Sequence, residues 1–259
     1  RLDRLAVRRV GDDAEADRDR QRTAAGGPAV VRGSEQLRQL TADALGDGEG
    51  ALRVGEGSDQ GELLAAHPRG RVDAALLAER KGIWIGTSGW TYDSWRGPFY
   101  PSDLAKKDWL TWYGSNFPST EINASFYRTP SLEAVRDWRR RTPRNFSFAW
   151  KASKFITHWK RLNDNCANSI ALMESRLKLL GPKAGPVLFQ LPGNFQADRE
   201  RLARFIEMLP GRRSYAFEFR HPSWYEHDVL DLLASNNISL CLADHHLAPA
   251  PWIATADHV

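Results

Sequence analysis

Three titratable side chains lie at or next to the carboxyl ends of short stretches that read as strands in this sequence. Glu121 closes Ser-Thr-Glu at 119–121, Lys151 closes Phe-Ala-Trp-Lys at 148–151, and Glu218 closes Tyr-Ala-Phe-Glu at 215–218. Two opposed carboxylates can serve as acid and base, or as acid and nucleophile, in glycoside cleavage. A desolvated lysine can form a Schiff base, pair with a neighbouring carboxylate, or bind an anionic substrate. Other polar residues recur at comparable places: Thr87 and Ser88, Asn123, Gln190, Arg220 with His221, and Asp244. Burying so many polar groups costs several kcal/mol unless they pair with one another or face a ligand. Two readings stay open. Either the groups form a site, with Glu121, Glu218 and Lys151 as catalytic residues, or they form a hydrogen-bond and salt-bridge lattice that plugs the interior. In the second reading Glu218 pairs with Arg220 or Lys151 and only holds loops.

Further chemistry flanks these positions. Trp90, Tyr92, Trp95, Phe99 and Tyr100 crowd one stretch. Such a loop stacks on a sugar ring or a base, or packs as a lid; Trp90 and Tyr92 are the members expected to touch a ligand. Asp244, His245 and His246, with Glu218 and His221, have the donor types for a divalent metal, although their spacing matches no metal motif and no cofactor is expected. Gly82-x-x-x-Gly86 does not open a helix, so it is no phosphate fingerprint. Neither a nucleophile elbow nor His-Glu-x-x-His occurs. The runs 139–141 and 151–160 are basic and would be the contacts of a nucleic-acid module.

Positioning these residues requires an alternation of strands and helices. Strands are expected at Ile83–Thr87, Ser119–Ile122, Phe146–Lys151, Pro186–Leu191, Tyr215–Phe219 and Ser239–Ala243. They are nearly all apolar, as in a parallel sheet covered on both faces. Helices are expected between them. Asp103–Asn116 would be capped by Ser102 and would place Leu110, Tyr113 and Phe117 on one face. A second helix would start at Thr129-Pro130, with Leu132, Val135 and Trp138 inward. Asn168–Leu180 would be stopped by Gly181-Pro182. Asp198–Leu209 would be capped by Asp198, and Glu226–Ser235 would follow. The pattern predicts an α/β fold of the (β/α) TIM-barrel type, with about six of the eight strands of a closed barrel. The polar residues above would then share one mouth at the carboxyl ends of the strands.

The first 80 residues are different. They contain no Trp, Tyr, Phe, Ile, Met, Cys, Lys or Asn, and every Trp, Tyr and Phe lies beyond position 83. Such a segment buries little, so residues 1–80 are expected to be disordered or weakly helical and residues 81–259 to form the domain. Net charge is +4, from 36 basic and 32 acidic residues, which gives nucleic-acid binding only weak support. No apolar run reaches the ~18 residues of a membrane span, and the amino terminus leads into charges instead of a signal-peptide core. Two cysteines, Cys166 and Cys241, build no disulfide framework and fit a reducing cytoplasm.

Five ordered motifs carry a family likeness. Gly86-Thr87-Ser88-Gly89-Trp90-Thr91-Tyr92 with Trp95-Arg96-Gly97-Pro98-Phe99-Tyr100-Pro101 resembles the opening signature of the YecE-like family, the domain of unknown function seventy-two. Glu121-Ile122-Asn123-Ala124-Ser125-Phe126-Tyr127, Phe146–Lys151, Gly185–Pro192 and Glu218–Trp224 match in order. The resemblance implies a TIM-type barrel, no established activity, and two further strands beyond Val259. Three functional expectations follow. The first is an enzyme for a small sugar-like or anionic substrate, with Glu121 and Glu218 as acid and base, Lys151 and Arg220 holding negative charge, Asn123 and Gln190 orienting hydroxyls, Ser88, His221 and Asp244 lining the site, and Trp90 and Tyr92 covering it. The others are a non-catalytic module for nucleic acid or a metabolite, and a metal-dependent phosphoester or sugar enzyme. Oligomeric state is left open.

Overall fold

The computed structural model describes residues 84–257. The expectations for residues 1–80, for Ile83 and for Val259 lie outside them. The described residues form an α/β fold. Its strands are β1 (Gly86–Ser88), β2 (Ser119–Ile122), β3 (Ser147–Lys151), β4 (Ala184–Gln190), β5 (Tyr215–Glu218) and β6 (Ser239–Leu240). All five pairings are parallel, and the spatial order is the chain order, β1-β2-β3-β4-β5-β6. Six helices connect them: α1 (Trp109–Asn116), α2 (Ala124–Tyr127), α3 (Leu132–Arg141), α4 (Ala167–Leu180), α5 (Arg199–Glu207) and α6 (His227–Ser235).

Because side chains alternate along a strand, the register divides the sheet into two faces. Thr120, Ile122, Phe148, Trp150, Val187, Phe189, Tyr215, Phe217 and Leu240 share one of them. There Phe205 of α5 meets Phe189 and Phe217 edge-on at 5.1 and 6.3 Å, and Phe146 bridges Tyr113 of α1 to Phe148. This is the helix-covered core. Each fully buried large side chain contributes about 1.5–3 kcal/mol. The other face carries Gly86, Ser88, Ser119, Glu121, Ser147, Ala149, Lys151, Leu188, Gln190, Ala216, Glu218 and Ser239. It is small at the amino ends and polar at the carboxyl ends.

A bulge decides where Gln190 points. The β3–β4 register runs Phe148↔Ala184 and then Trp150↔Val187, so β4 carries one extra residue around Gly185-Pro186. Pro186 has no N–H for the ladder, which makes it tolerable at a bulge. One inserted residue moves all later side chains to the opposite face. Without it Val187 and Phe189 would face the polar side and Gln190 the helices.

Several sequence expectations need correction. Ser102 caps no helix: α1 begins at Trp109, after a 3-10 turn over Lys106–Asp108. Arg96 Nη1 donates to Ser102 O and Leu104 O at 2.9 and 3.1 Å and holds that segment open. Trp109 is instead fixed by stacking on Tyr100, 4.3 Å between centroids. The cap of α3 is Ser131, whose Oγ accepts from Ala134 N at 3.1 Å, in place of Thr129-Pro130. Leu132, at the first helical position, is 42% exposed, whereas Val135 one turn later is fully buried. Asp198 does cap α5, accepting from Arg201 N. Ile170, Met173, Leu177 and Leu180 of α4 are buried as their spacing predicts. β6 stops at Leu240, although Cys241 N still donates to Phe217 O at 2.8 Å. Among the described residues no helix is long and apolar enough to cross a membrane.

Candidate active site

Side chains on the polar face meet in pairs across neighbouring strands. Ser88 and Glu121 are register partners on β1 and β2, and Ser88 Oγ donates to Glu121 Oε1 at 3.0 Å. Gln190 and Glu218 are register partners on β4 and β5, and Gln190 Nε2 donates to Glu218 Oε1 at 2.7 Å. Arg220 Nε donates to the same oxygen at 3.0 Å. Between these rungs, Lys151 ends β3 with its Nζ 4.7 Å from the centre of the Phe126 ring. Ser88, Glu121, Lys151, Gln190 and Glu218 are each at most 3% exposed. Every one of them lies on the face opposite the helix-packed core.

The loops after the strands hold this arrangement. Ser125 Oγ lies 2.6 Å from Ile122 O and from Lys151 O, so its proton is shared between the ends of β2 and β3. Asn123, half-buried at the end of β2, has a side-chain oxygen that accepts no hydrogen bond among the described residues. Such an acceptor favours a ligand or water donor. Tyr92 donates its hydroxyl to Ser88 O and packs 4.7 Å from Trp95. Gly89 beside it has φ +93°, a conformation suited to glycine. The Tyr225 hydroxyl lies 2.8 Å from Phe219 O and 3.0 Å from Ala248 O. Burial, then the Glu218 charge, push its pKa up to about 12.

Not every expected residue joins the cluster. Trp90 packs edge-on against Trp138 and Phe148, at 5.4 and 6.4 Å, on the helix side. His221 Nδ1 caps a 3-10 turn, accepting from Ser223 N at 3.2 Å. Asp244 is exposed. His245 and His246 stack at 4.9 Å, but among the described residues no three His, Cys, Asp or Glu side chains converge as metal ligands. Tyr225, Ser125 and Phe126 were missed by the sequence reading. Ser125 and Phe126 lie inside the motif at 121–127 and Tyr225 directly follows the one ending at Trp224, but only the fold shows that they turn toward the polar cluster.

His245 nevertheless senses the site. Burial, then the positive charge of Arg220, hold its pKa below the ordinary value, with Glu218 opposing. Its ring protons are therefore expected to titrate in NMR below about pH 6.5. Arg220→Ala should move that midpoint upward, because it removes a nearby cation. A midpoint that ignores the substitution would separate His245 from the cluster.

The architecture is thus an α/β sheet with a buried polar cluster at its carboxyl edge. The chain belongs to the family described as "Protein of unknown function DUF72", whose sequence profile matches residues 84–259. It is 30% identical over 144 residues to UPF0759 protein YecE of Escherichia coli strain K12, covering 55% of this chain and 50% of that one. It is 32% identical over 151 residues to UPF0759 protein YunF of Bacillus subtilis strain 168, covering 55% and 52%. The chain thus spans about half the length of these curated relatives. A crystal structure of a DUF72 family protein from Thermotoga maritima superposes with TM-score 0.59 at 28% identity, covering 67% of this chain and 71% of that one. One from Enterococcus faecalis gives 0.54 at 22% identity, covering 67% and 66%, and shows the shared fold alone.

Proposed function

We propose that the sheet is six strands of a (β/α) barrel and that its polar edge is the mouth of an enzyme site for a small sugar-like or anionic substrate. Strand order supports the barrel: doubly wound sheets reverse their order at a switch point, and this sheet does not over six strands. In a barrel of shear eight, residues level across the axis advance by about one position per strand. On that geometry, carried along the strand pairings, Ser88, Lys151 and Glu218 would fall in one layer, Glu121 a half-step below, and Asn123 and Gln190 above. The next layer down from odd strands is Gly86, Ala149 and Ala216. Small residues there leave room beneath the polar layer, where barrels usually carry bulky branched ones.

The observation that carries this reading is the burial of two carboxylates, a lysine and an amide at the carboxyl ends of one sheet face. Taking several charged groups out of water together is costly even when they are paired, and the carboxyl edge of the strands is where barrels assemble their sites. Glu218, held by Gln190 and Arg220, suits the role of base or nucleophile. Glu121, steadied by Ser88, suits the acid. Lys151 supplies positive charge for an anionic group or a developing oxyanion. Thermal-shift measurements with neutral sugars, sugar phosphates and short dicarboxylates test the proposal. At least one class should stabilise the chain, by about 2.7 kcal/mol at a hundred times its Kd, and Lys151→Met should remove the effect for anionic ligands while leaving the folded circular-dichroism spectrum intact. No shift from any class would defeat the proposal.

A non-catalytic module is the second reading. Tyr127 and Trp159 are 56% and 66% exposed, with Lys154 Nζ 5.5 and 5.2 Å from their rings. Such a pair suits stacking on a planar ligand. Ligand binding lost in Trp159→Ala but untouched by Glu218→Gln would favour it.

A further inference from the structure

A second concentration of charge lies at the amino ends of the strands, away from the polar cluster. There the end of α3, the turn that follows it and the segment entering β4 border an open, shallow concavity of about 590 Å³. Arg136, Arg139, Arg140, Arg144 and Lys183 contribute to its wall, and no carboxylate does. Helix carboxyl termini attract cations, and that accounts for two of the five. Lys183 Nζ donates to Arg139 O, and to Thr142 O and Oγ1 at 2.7 and 3.1 Å. Arg139 Nη1 donates to Leu179 O at 3.1 Å near the end of α4. Its guanidinium lies over Gly181, where an added Cβ would approach Cζ to 3.2 Å. Arg140 is paired with Asp137, which also takes Arg141 at 2.6 Å. Capping and pairing do not account for Arg136 and Arg144, whose side chains make no hydrogen bond or ion pair among the described residues.

Two cations are therefore held in place beside two more that have no counter-charge. Burial, then the charge of Arg139, lower the pKa of Lys183, as expected where positive charge is in excess. We propose that this concavity binds phosphate groups, as a site separate from the strand-end cluster. Guanidinium forks match phosphate oxygens in pairs. The wall offers no aromatic surface for a base, so recognition falls on the phosphates themselves. Two sources carry that chemistry: a free phosphoanhydride and a nucleic-acid backbone.

Titration calorimetry with tripolyphosphate and with a short DNA duplex, each at two ionic strengths, tests the proposal. The chain should bind at least one of them, and the double variant Arg136→Glu/Arg144→Glu should weaken that binding at least about ten-fold. Both positions are exposed, so the variant should unfold at the wild-type temperature. Binding of tripolyphosphate alone identifies a free phosphoanhydride. Duplex binding that falls steeply with salt identifies the backbone. Absence of binding by the unaltered chain, or equal binding by the folded double variant, overturns the proposal. Arg144→Lys, which keeps the charge and loses the fork, should fall between the two. Because these substitutions lie outside the strand-end cluster, the sugar and dicarboxylate responses should survive them.

Discussion

Gly86→Ala is expected to destabilise the chain by about 3 kcal/mol or more, a large share of the 5–15 kcal/mol that holds a typical domain folded. A Cβ at Gly86 would stand 2.2 Å from Ser119 O and 2.6 Å from Ser119 C. These are backbone atoms of the neighbouring strand, so no rotamer change relieves the contact. Only separation of β1 from β2 would, and that costs the pairing that sets Ser88 beside Glu121. A glycine inside a strand often marks such a close backbone approach. Gly185 is comparable, with a Cβ position 2.5 Å from Ser147 Oγ and 3.0 Å from Phe148 O. Gly211 has nothing within 4 Å, so Gly211→Ala is the control and should change stability little. Urea denaturation followed by circular dichroism reads both. A midpoint for Gly86→Ala equal to that of Gly211→Ala would mean the strands are not so closely apposed.

The same contrast shows what the sequence could and could not convey. Short stretches of four to six residues between helical patterns identified all six strands, most of them apolar because a covered sheet imprints hydrophobicity, with Ser119–Ile122 the polar exception. Asp198 was legible as a cap because a short acceptor and the helix start coincide there. At α3 the same chemistry occurs twice in succession, at Thr129 and at Ser131, and only the chain path selects Ser131. Lys151 and Glu218 were legible because a charge at the end of an apolar run is costly wherever the chain goes, and Glu121 because it sits in a short strand between two helical patterns. The facing of Gln190 was not, since it depends on an extra residue near Pro186 that alters no local pattern. The packing of Trp90 against Trp138 and Phe148 was not legible for a related reason. Aromatic density marks a packed loop, but which ring turns toward the helices and which toward the polar face depends on the backbone path through Gly89. The arginine concavity was visible only as the basic run at 139–141, because Lys183 reaches it from 41 residues along the chain.

Glu218→Gln should leave the fold in place and reduce turnover of whichever ligand the panel identifies by roughly 10²–10⁴-fold, the span usual for loss of a general acid or base. The amide keeps the size of the side chain and an oxygen that can accept from Gln190 and Arg220. What disappears is the negative charge. Arg220 then loses its carboxylate partner in a half-buried position, and the expected cost in stability is about 1–3 kcal/mol. A purely structural role would show that cost and nothing more: KM would rise through a loosened site while kcat held. A chemical role lowers kcat in the folded protein and removes one limb of the pH–rate profile. Glu218→Asp separates the two further, since it restores charge but withdraws it from Gln190 Nε2, and partial recovery of kcat would point to charge at that place. Turnover at the wild-type rate in Glu218→Gln would remove the residue from the mechanism. It would leave the Gln190–Glu218–Arg220 chain as a brace between β4, β5 and the loop after β5.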